Sequence, residues 1–528
     1  MKLPPSIFND VVGPVMRGPS SSHTAASVRI GNLSTGLLRD PIIEALIEFH
    51  PKGSLATTYR SQGSAIGLVA GLLGYDTKAS EIITAEEEAA KKGLRITFRI
   101  TDYQANHPNT YRISLKSISG ETASLTAIST GGGMIEIIEI NGFAISICGD
   151  FHETLLQQST PLHQTSKNAL HELETKGLVD YVLIIETAKG VLVNIKSKEP
   201  LSAMLLNGIQ KHCETAQIRQ LQPVLPTLSR KKCTVPFLSA AEIIDAASKN
   251  QTDLAELALL YESIRGACSK LEVWEKMSAI VHIMQTSIES GLQGTTYEDR
   301  ILGSQSGKIQ EAIATKKAIP CELNNTVIAC TMAMMEVKSS MGVIVAAPTA
   351  GACAVLPGSI LGMAKALNLN HKQCVKAMLA AGLIGVLIVE RSTFSAEICG
   401  CQAECGAGSG MAAAGIVQMM NGSAEQAIHA ASMSLQNIMG MVCDPVANRV
   451  EVPCLGKNVM GAVNAIAMAN MALAGIDAVI PLDEVIHAMD IVGRSIPREL
   501  RCTGYGGLSI TPASKKIEQM LTQKSQYT

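Results

Sequence analysis

Residues 398–415, ICGCQAECGAGSGMAAAG, join a cysteine-rich loop to a segment of small residues. The alanines and glycines predict a helix that begins near Met411 and packs tightly, because small side chains let helix backbones approach each other. A nucleotide-binding loop is a poorer interpretation, since no strand precedes the glycines and the third glycine of that fingerprint is missing. This stretch therefore predicts the centre of a helical domain.

The sequence around this stretch, from residue 238 to residue 528, predicts an all-α domain. Its apolar residues recur at helical spacing in segments separated by Gly- and Pro-containing loops. These segments are residues 240–247, 271–288, 373–389, 427–439 and 460–474. The most apolar run, residues 377–389, has 13 residues, which is too few to cross a bilayer. We expect a buried helix there and no membrane span.

The first half of the chain predicts two further domains, so the fold class is multidomain. Residues 1–150 mix β-rich runs, such as 94–100 and 135–147, with helical runs, which is typical of an α+β domain. Residues 151–226 follow a β-α-β-β-α-β order that is similar to small ligand-sensing modules of the ACT kind, and equally to any small split β-α-β domain. Residues 227–237 are basic and contain proline, and we expect a linker there.

The composition excludes several classes of protein. With 44 Lys and Arg against 46 Asp and Glu, the chain of 528 residues has no basic field for nucleic acid or an anionic membrane surface. The first residues lack the hydrophobic run of a signal peptide, and 14 cysteines without such a signal indicate reduced thiols in a cytoplasm. We expect a cytoplasmic homodimer that binds a small molecule and has no nucleic-acid or membrane partner.

Five cysteines lie close together in the C-terminal half. Cys399, Cys401 and Cys405 form a C-x-C-x3-C motif, and Cys443 and Cys454 bracket a proline-containing loop. Thiolates on loops can converge on one metal centre, although this spacing is neither that of a paired C-x2-C zinc site nor that of a ferredoxin. The alternative is that cysteine acts as a small buried hydrophobe. That alternative suits the isolated cysteines, which are Cys148, Cys268, Cys330 and Cys374.

Three polar loops in the N-terminal half are candidate binding segments. Residues 20–24 gather hydroxyls and an imidazole ahead of a predicted helix, where backbone NH groups suit a carboxylate; an ordinary Ser/Thr N-cap is the alternative. Residues 106–110 carry a second imidazole, and the three glycines at 131–133 allow close approach of backbone to a ligand. The candidates are Ser20, Ser21, Ser22, His23, Thr24, His107, Asn109, Thr110 and Gly132.

Two polar residues of the C-terminal half are further candidates. Thr349 lies in an Ala-Pro-Thr-Ala-Gly segment that interrupts a helical pattern. Lys457 follows Cys454 by three residues. A lysine is a surface residue by default, but next to a metal ligand its partner could be a substrate carboxylate.

Several motifs, in the same order over most of the chain, resemble those of the iron–sulfur-dependent L-serine dehydratases. In the N-terminal half, the segments VVGPVMRGPSSSHTA, HPNT and GGGMIEI resemble the β subunit of that family. From about residue 238, the segments MGVIVAAPTAGACAVLPG, GCQAECG, MVCDPVANRVEVPC and GYGGLSITP resemble its α subunit. The resemblance implies two subunits fused in one chain and a [4Fe-4S] cluster held by three cysteines. It also implies elimination of water from L-serine without pyridoxal phosphate, giving pyruvate and ammonia.

The resemblance implies roles for individual residues as well. Cys401, Cys443 and Cys454 match the cluster-binding cysteines, which leaves one iron to act as a Lewis acid on the substrate hydroxyl. His23 or His107 would carry out acid–base work or orient the substrate, and Lys457 is a further catalytic candidate. The residues expected to bind the substrate are Ser20, Ser21, Ser22, Thr24, Asn109, Thr110, Gly132 and Thr349.

The chain departs from the family's pattern at several places, including Ala65 for the usual Asp and the extra thiols Cys399 and Cys405. Gln62 stands where the family usually has His, Cys502 stands where it often has Glu, and residues 391–396 read RSTFSA in place of a NASISG-like segment. Gln cannot titrate near neutrality as His can, and Phe394 would reshape a pocket that it lined. One alternative is the same elimination on another β-substituted amino or hydroxy acid, such as L-threonine or L-cysteine. Another is a non-catalytic amino-acid or redox sensor on the same fold.

Overall fold

The structure, a computed structural model, describes residues 3–213 and 216–527. Its first part is a six-stranded sheet with helices on one face. The elements are β1 (Val15–Met16), α1 (Ala26–Thr35), β2 (Ile42–Phe49), α2 (Leu55–Thr58), α3 (Ser64–Leu72), α4 (Ala85–Lys91), β3 (Arg95–Ile100), β4 (Thr110–Ser117), β5 (Thr122–Gly131), β6 (Met134–Ile140) and β7 (Phe143–Ile147). The sheet has the order β3-β2-β4-β5-β6-β7, with β2 and β3 parallel and the other neighbours antiparallel.

The alternation of side chains along these strands decides which face is buried. In β5, Ala123, Leu125 and Ala127 point towards the helices and join one hydrophobic core with residues of α1, α3 and α4.

The run 135–147, predicted as β-rich, is a hairpin. Asn141 and Gly142 both adopt positive φ (51° and 84°), which suits the tight turn that joins β6 to β7.

The second part is a four-stranded antiparallel sheet with two helices. Its elements are β8 (His152–Gln158), α5 (Gln164–Thr175), β9 (Tyr181–Thr187), β10 (Gly190–Ser197), α6 (Ala203–Gln210) and β11 (Gln217–Leu221), with the strand order β11-β8-β10-β9. The succession of elements is the predicted β-α-β-β-α-β. The likeness to an ACT module stays a prediction.

The segment 227–237 has no helix or strand, but it is held firmly against both of its neighbours. Asn9 donates through Nδ2 to Thr227 O (2.7 Å) and accepts from Thr227 N at Oδ1 (2.9 Å). Arg265 donates to Ser229 Oγ (3.0 Å), and Ser229 is buried. This part of the chain is therefore a packed connection.

The remaining elements are mostly helices. They are α7 (Ala240–Asn250), α8 (Leu254–Gly266), α9 (Lys270–Gln293), α10 (Ser306–Ala314), α11 (Glu322–Ser339), β12 (Ile344–Val345), α12 (Val355–Leu367), α13 (His371–Arg391), α14 (Ala396–Cys399), α15 (Cys405–Met419), α16 (Ala424–Gln436), α17 (Cys454–Leu473), α18 (Leu482–Ser495) and α19 (Pro512–Tyr527). The prediction of an all-α half is incomplete, because β12 pairs antiparallel with β1 near the start of the chain. A two-residue strand whose partner lies so far away in sequence leaves no local pattern.

Helices α13 and α15 are the centre of the C-terminal core. A Cβ on Gly415 of α15 would lie 2.8 Å from Ala377 O of α13, so the small residues do permit close helix packing. Helix α13 spans 21 residues, because polar residues extend both ends of the 13-residue apolar run, and by length and composition alone it could cross a bilayer. However, 78% of its most apolar window of 18 residues is buried inside the protein, as for a core helix. The prediction of a buried helix over this run is confirmed.

The first residues of the chain insert into this helical core. Ile7 and Val11 are fully buried and contact α13 where glycines make room: a Cβ on Gly385 would lie 2.1 Å from Val11 Cγ1. Ser6 Oγ donates to Glu262 Oε1 of α8 (2.6 Å). This insertion brings the polar loops that follow it against the C-terminal half.

Candidate active site

His23 lies in a buried group of hydroxyls where the two halves of the chain meet. Residues Ser21–Ala25 form a π-helical turn that runs into α1, and His23 has no exposed surface. Its Nδ1 lies 3.0 Å from Ser20 Oγ and 3.1 Å from Ser22 Oγ, and its Nε2 lies 2.9 Å from Thr58 Oγ1. Ser20 makes no capping bond through its side chain, so the simple N-cap alternative does not describe this turn.

The surrounding hydroxyls assign the proton on the His23 ring. Thr58 Oγ1 donates its single proton to Ser54 O (2.7 Å), so it can only accept from His23 Nε2. Nδ1 then carries the lone pair of a neutral ring and accepts from Ser20 Oγ. Burial lowers the pKa of His23, although the charge of Glu397 opposes this effect.

Glu397, on α14, is the acidic partner of this group and was not among the predicted residues. It accepts from Ser22 Oγ (2.8 Å) and from Ser395 Oγ (2.7 Å), and its Oε1 lies 3.6 Å from His23 Nδ1. Burial by itself would raise the pKa of Glu397, but His23, when its ring is protonated, and the two hydroxyl donors hold it below the usual value. Ser22 is 375 residues away in sequence, so no local signal marked this carboxylate.

The predicted loop at His107 faces the same carboxylate. Asn109 N donates to His107 Nδ1 (3.1 Å), and Thr110 Oγ1 donates to His107 O (2.7 Å). Burial lowers the pKa of His107, and the charge of Glu397 acts in the opposite direction. Because Nδ1 accepts a backbone proton, the neutral ring presents an N–H at Nε2.

Asn109 carries a polar side chain that the protein leaves unpaired. The residue is fully buried, and neither its Nδ2 nor its Oδ1 has a hydrogen-bond partner within the described ranges 3–213 and 216–527. The same holds for Ser129 Oγ, whose backbone N donates to Asn109 O (3.1 Å). Buried polar groups are nearly always paired, so these atoms suit a polar ligand.

The glycine loop brings backbone from the end of β5 against the C-terminal half. Gly131, Gly132 and Gly133 have φ of 111°, 61° and 90°, which disfavours other residues. A Cβ on Gly131 would lie 2.9 Å from Ser395 N, and one on Gly132 would lie 3.2 Å from Pro348 O. The predicted Gly132 therefore lies at this junction.

Thr349 and Ser21 meet at the same junction. Ala350 N donates to Ser21 Oγ (3.1 Å), and Thr349 Oγ1 donates to Glu404 Oε1 (2.7 Å). Burial, together with the nearby Cys401 and Glu397, raises the pKa of Glu404 well above its usual value. Glu404, which is half-buried, is the second carboxyl group of this site that the sequence did not predict.

The cysteine-rich motifs converge on one buried cluster. Cys401, Cys405, Cys443 and Cys502 share it with Ala352, Val355 and Ala396, and Cys454 is close enough to act electrostatically on Cys401. The predicted helix start near Met411 was wrong, because α15 begins at Cys405, and Cys454 begins α17. Cys399 lies apart, with its Sγ 3.7 Å from Asp490 Oδ1. All 14 cysteines are free thiols.

Lys457 supplies positive charge beside these thiols. Its Nζ donates to Val442 O (2.6 Å) and to Asp444 Oδ1 (3.1 Å), and its side chain is 16% exposed. Burial acts to lower the pKa of Lys457, but nearby groups including Cys401 and Cys443 raise it above its usual value. A hydrogen bond from the Cys405 thiol, aided by Lys457, lowers the pKa of Cys401 to about 7. The lysine is therefore a half-buried counter-charge and not a surface residue.

Within residues 3–213 and 216–527, no three His, Cys, Asp or Glu side chains are arranged to hold a single metal ion. A cluster of several irons places its thiolates on different metal atoms, so they lie farther apart than the ligands of one ion. A cleft of about 670 Å³ opens beside this region, and its walls include Thr57, Gly63, Lys338 and Asn448.

Comparison with known families agrees with these motifs. A sequence profile described as Serine dehydratase alpha chain matches residues 78–509, which is more than half of the chain. The chain belongs to the serine dehydratase alpha-chain family. Its relatives are named L-serine dehydratase, which is a lyase, and this chain is accordingly a lyase.

Serine dehydratase relatives of two kinds match this one polypeptide. A protein named Probable L-serine dehydratase, alpha chain, from Bacillus subtilis is 37% identical over 285 residues, which cover 54% of this chain and 95% of the relative. The L-serine dehydratase alpha chain of Peptoniphilus asaccharolyticus is 36% identical over 282 residues, 53% of this chain and 97% of the relative. A Probable L-serine dehydratase, beta chain, from Bacillus subtilis is 43% identical over 151 residues, 29% of this chain and 66% of the relative. The two chain types are thus fused here.

Two of the departures from the serine dehydratase pattern touch each other. Gln62 Nε2 donates to Cys502 Sγ (3.4 Å), and both residues are buried. Phe394, by contrast, packs its side chain into the hydrophobic core of the C-terminal half, so it does not reshape the site through its ring. The contact between Gln62 and Cys502 makes these two substitutions a coupled change.

Proposed function

We propose that this chain eliminates water from L-serine, giving pyruvate and ammonia, and that a [4Fe-4S] cluster bound by Cys401, Cys443 and Cys454 takes part. The proposal draws on relatives named L-serine dehydratase. The observation that carries it is the direct contact between the His23 group of the N-terminal half and Glu397, four residues before Cys401. Acid–base groups and candidate cluster ligands thereby face one site.

The donor set fits such a cluster. Soft thiolate ligands favour iron–sulfur clusters over hard cations, and the three thiols come from three separate segments that converge. Lys457, held by Val442 O and Asp444, would offset the charge of the thiolates. When bound, a cluster with an iron free of protein thiolate supplies a Lewis acid for the substrate hydroxyl.

His23 is the proposed acceptor of the substrate α-proton. Its Nδ1 is unprotonated in the neutral ring and lies 3.6 Å from Glu397 Oε1, so a proton taken up there would be close to the carboxylate. Glu397 thus stabilises the imidazolium and, through Ser22, fixes the ring.

Asn109 and the glycine loop are proposed to orient the substrate. The unpaired Nδ2 of Asn109 offers two N–H donors, and its unpaired Oδ1 is an acceptor. His107 offers an N–H at Nε2, and the backbone of Gly131–Gly133 lies against Ser395, next to Glu397. These groups suit the carboxylate and ammonium of an amino acid.

The test is anaerobic reconstitution with iron and sulfide, followed by turnover of L-serine measured as 2-oxo acid plus ammonia. The variants Cys401→Ala, Cys443→Ala and Cys454→Ala should each lose the visible absorbance and the bound iron, whereas Cys148→Ala should retain both. Full iron content in any of the three would refute the ligand assignment. A coloured protein without turnover would favour the sensor interpretation.

A second candidate is the same elimination on another β-substituted amino acid, such as L-threonine or L-cysteine. The contact between Gln62 and Cys502 favours it, because a neutral pair replaces a pair that can carry charge in the family pattern. The ratio of kcat/KM among the three substrates decides between the candidates.

A further inference from the structure

A cavity of about 750 Å³ lies where the first sheet domain, the second sheet and helix α9 meet. It is separate from the candidate active site, since neither His23 nor the clustered cysteines line it. One wall is aliphatic and includes Val224, Leu225, Ile280 and Ile283. The volume is within the range of small-molecule binding sites.

The lining of the cavity also contains a buried arginine. Arg29 of α1 is 3% exposed, and its Nε has no hydrogen-bond partner among the residues that the structure describes. Burial lowers the pKa of Arg29 to about 10, against an opposing effect of Asp10. Lys78 and Lys276 also line the cavity, with Asp76 as the carboxylate among the lining residues. The cavity thus combines an excess of positive charge with an aliphatic surface.

We propose that this cavity binds a small carboxylate with an aliphatic chain, with the carboxylate on Arg29 and the chain against Ile280 and Ile283. A guanidinium fork matches a carboxylate in geometry and charge. An aliphatic chain against α9 would be removed from water.

Two residues of the cavity wall, Arg29 and Pro14, contact the glycine loop of the candidate active site. Arg29 Nη1 donates to Gly133 O (2.6 Å), so a carboxylate on Nε that draws the guanidinium into the cavity would strain the hydrogen bond that holds the glycine loop. Pro14 lines the cavity, accepts from Ala346 N (3.0 Å) and would lie 3.0 Å from a Cβ on Gly133. Occupancy should therefore loosen the loop and raise the KM for L-serine. This coupling rests on the proposed function, whereas the binding itself does not.

Isothermal titration of the intact chain with L-leucine and with 4-methylpentanoate tests the binding without turnover. The two probes share the carboxylate and the chain, and comparing them shows whether an ammonium is needed. Ile280→Trp and Gln222→Trp each place an indole in the cavity from a different segment of the chain and should abolish binding, whereas Leu271→Trp, on the exposed face of α9, should not.

Arg29→Gln should weaken binding at least tenfold, since a charge-assisted bond is worth about 1.5–3 kcal/mol. Absence of binding by both probes, or binding that survives in both cavity-filling variants, overturns the site. Binding that leaves the KM for L-serine unchanged overturns the coupling to the glycine loop.

Discussion

The contact between Gln62 and Cys502 makes a double-mutant cycle decisive for substrate choice. The two residues are 1% and 4% exposed, and Gln62 Nε2 lies 3.4 Å from Cys502 Sγ. A charge placed on one of these side chains is therefore shielded from water and must be stabilised by the other. Cys502→Glu alone buries a carboxylate against a neutral amide, and Gln62→His alone places an imidazole against a thiol. The double variant joins an imidazole to a carboxylate.

The magnitude follows from the kind of hydrogen bond that each combination can form. A charge-assisted bond contributes about 1.5–3 kcal/mol, against about 0.5–1.5 kcal/mol for a neutral one. The coupling free energy should therefore be about 1–2 kcal/mol, which corresponds to roughly five- to thirty-fold in kcat/KM. Strain from the larger Glu is present in both Cys502 variants and largely cancels in the cycle.

The assay is kcat/KM for L-serine, L-threonine and L-cysteine under anaerobic conditions, normalised to bound iron. For L-serine, we expect the kcat/KM of the double variant to exceed the value given by multiplying the effects of the two single variants. The ratio of kcat/KM values should also shift in favour of L-serine. Cys148→Glu combined with Gln62→His is the matched control and should be additive, since the charges that act on Cys148 are those of Asp150, Glu136, Lys196 and Glu153, whereas Gln62 contacts Cys502. Additivity of Gln62 and Cys502 within about 0.5 kcal/mol would refute the reasoning.

Three further changes test individual parts of the site. Glu397→Gln removes the charge that raises the pKa of His23. The acidic limb of the pH profile of kcat/KM should therefore move to lower pH, and kcat should fall. A limb that moves to higher pH would contradict the pairing of His23 with Glu397. Gly132→Ala places a Cβ 3.2 Å from Pro348 O at φ 61°. The strained backbone costs about 1–2 kcal/mol, so kcat/KM should fall about tenfold or more. Unchanged kinetics would show that the glycine loop adapts to the added methyl group. Asn109→Ala breaks no side-chain hydrogen bond within the described structure. The unfolding temperature should therefore stay unchanged while the KM for L-serine rises about tenfold. A lower unfolding temperature with an unchanged KM would assign Asn109 a structural role.

The sequence predicted the secondary structure best where the pattern is local. Helical periodicity in 271–288 and 373–389 appears as α9 and α13, because an apolar stripe needs only its own spacing to be visible. Helix ends were less predictable: α15 begins at Cys405, where small residues carry little periodic signal. Strand β12 left no signal, because its partner β1 lies in the other half of the chain.

The sequence by itself determined the motifs that place this chain in its family and the types of group in the site, namely hydroxyls, imidazoles and thiols. Only the tertiary structure decided which of them meet. Glu397 became recognisable through Ser22 and His23, and Gln62 through Cys502. Single carboxylates and amides have no distinctive local pattern, and their roles come from partners hundreds of residues away that packing brings within hydrogen-bond distance.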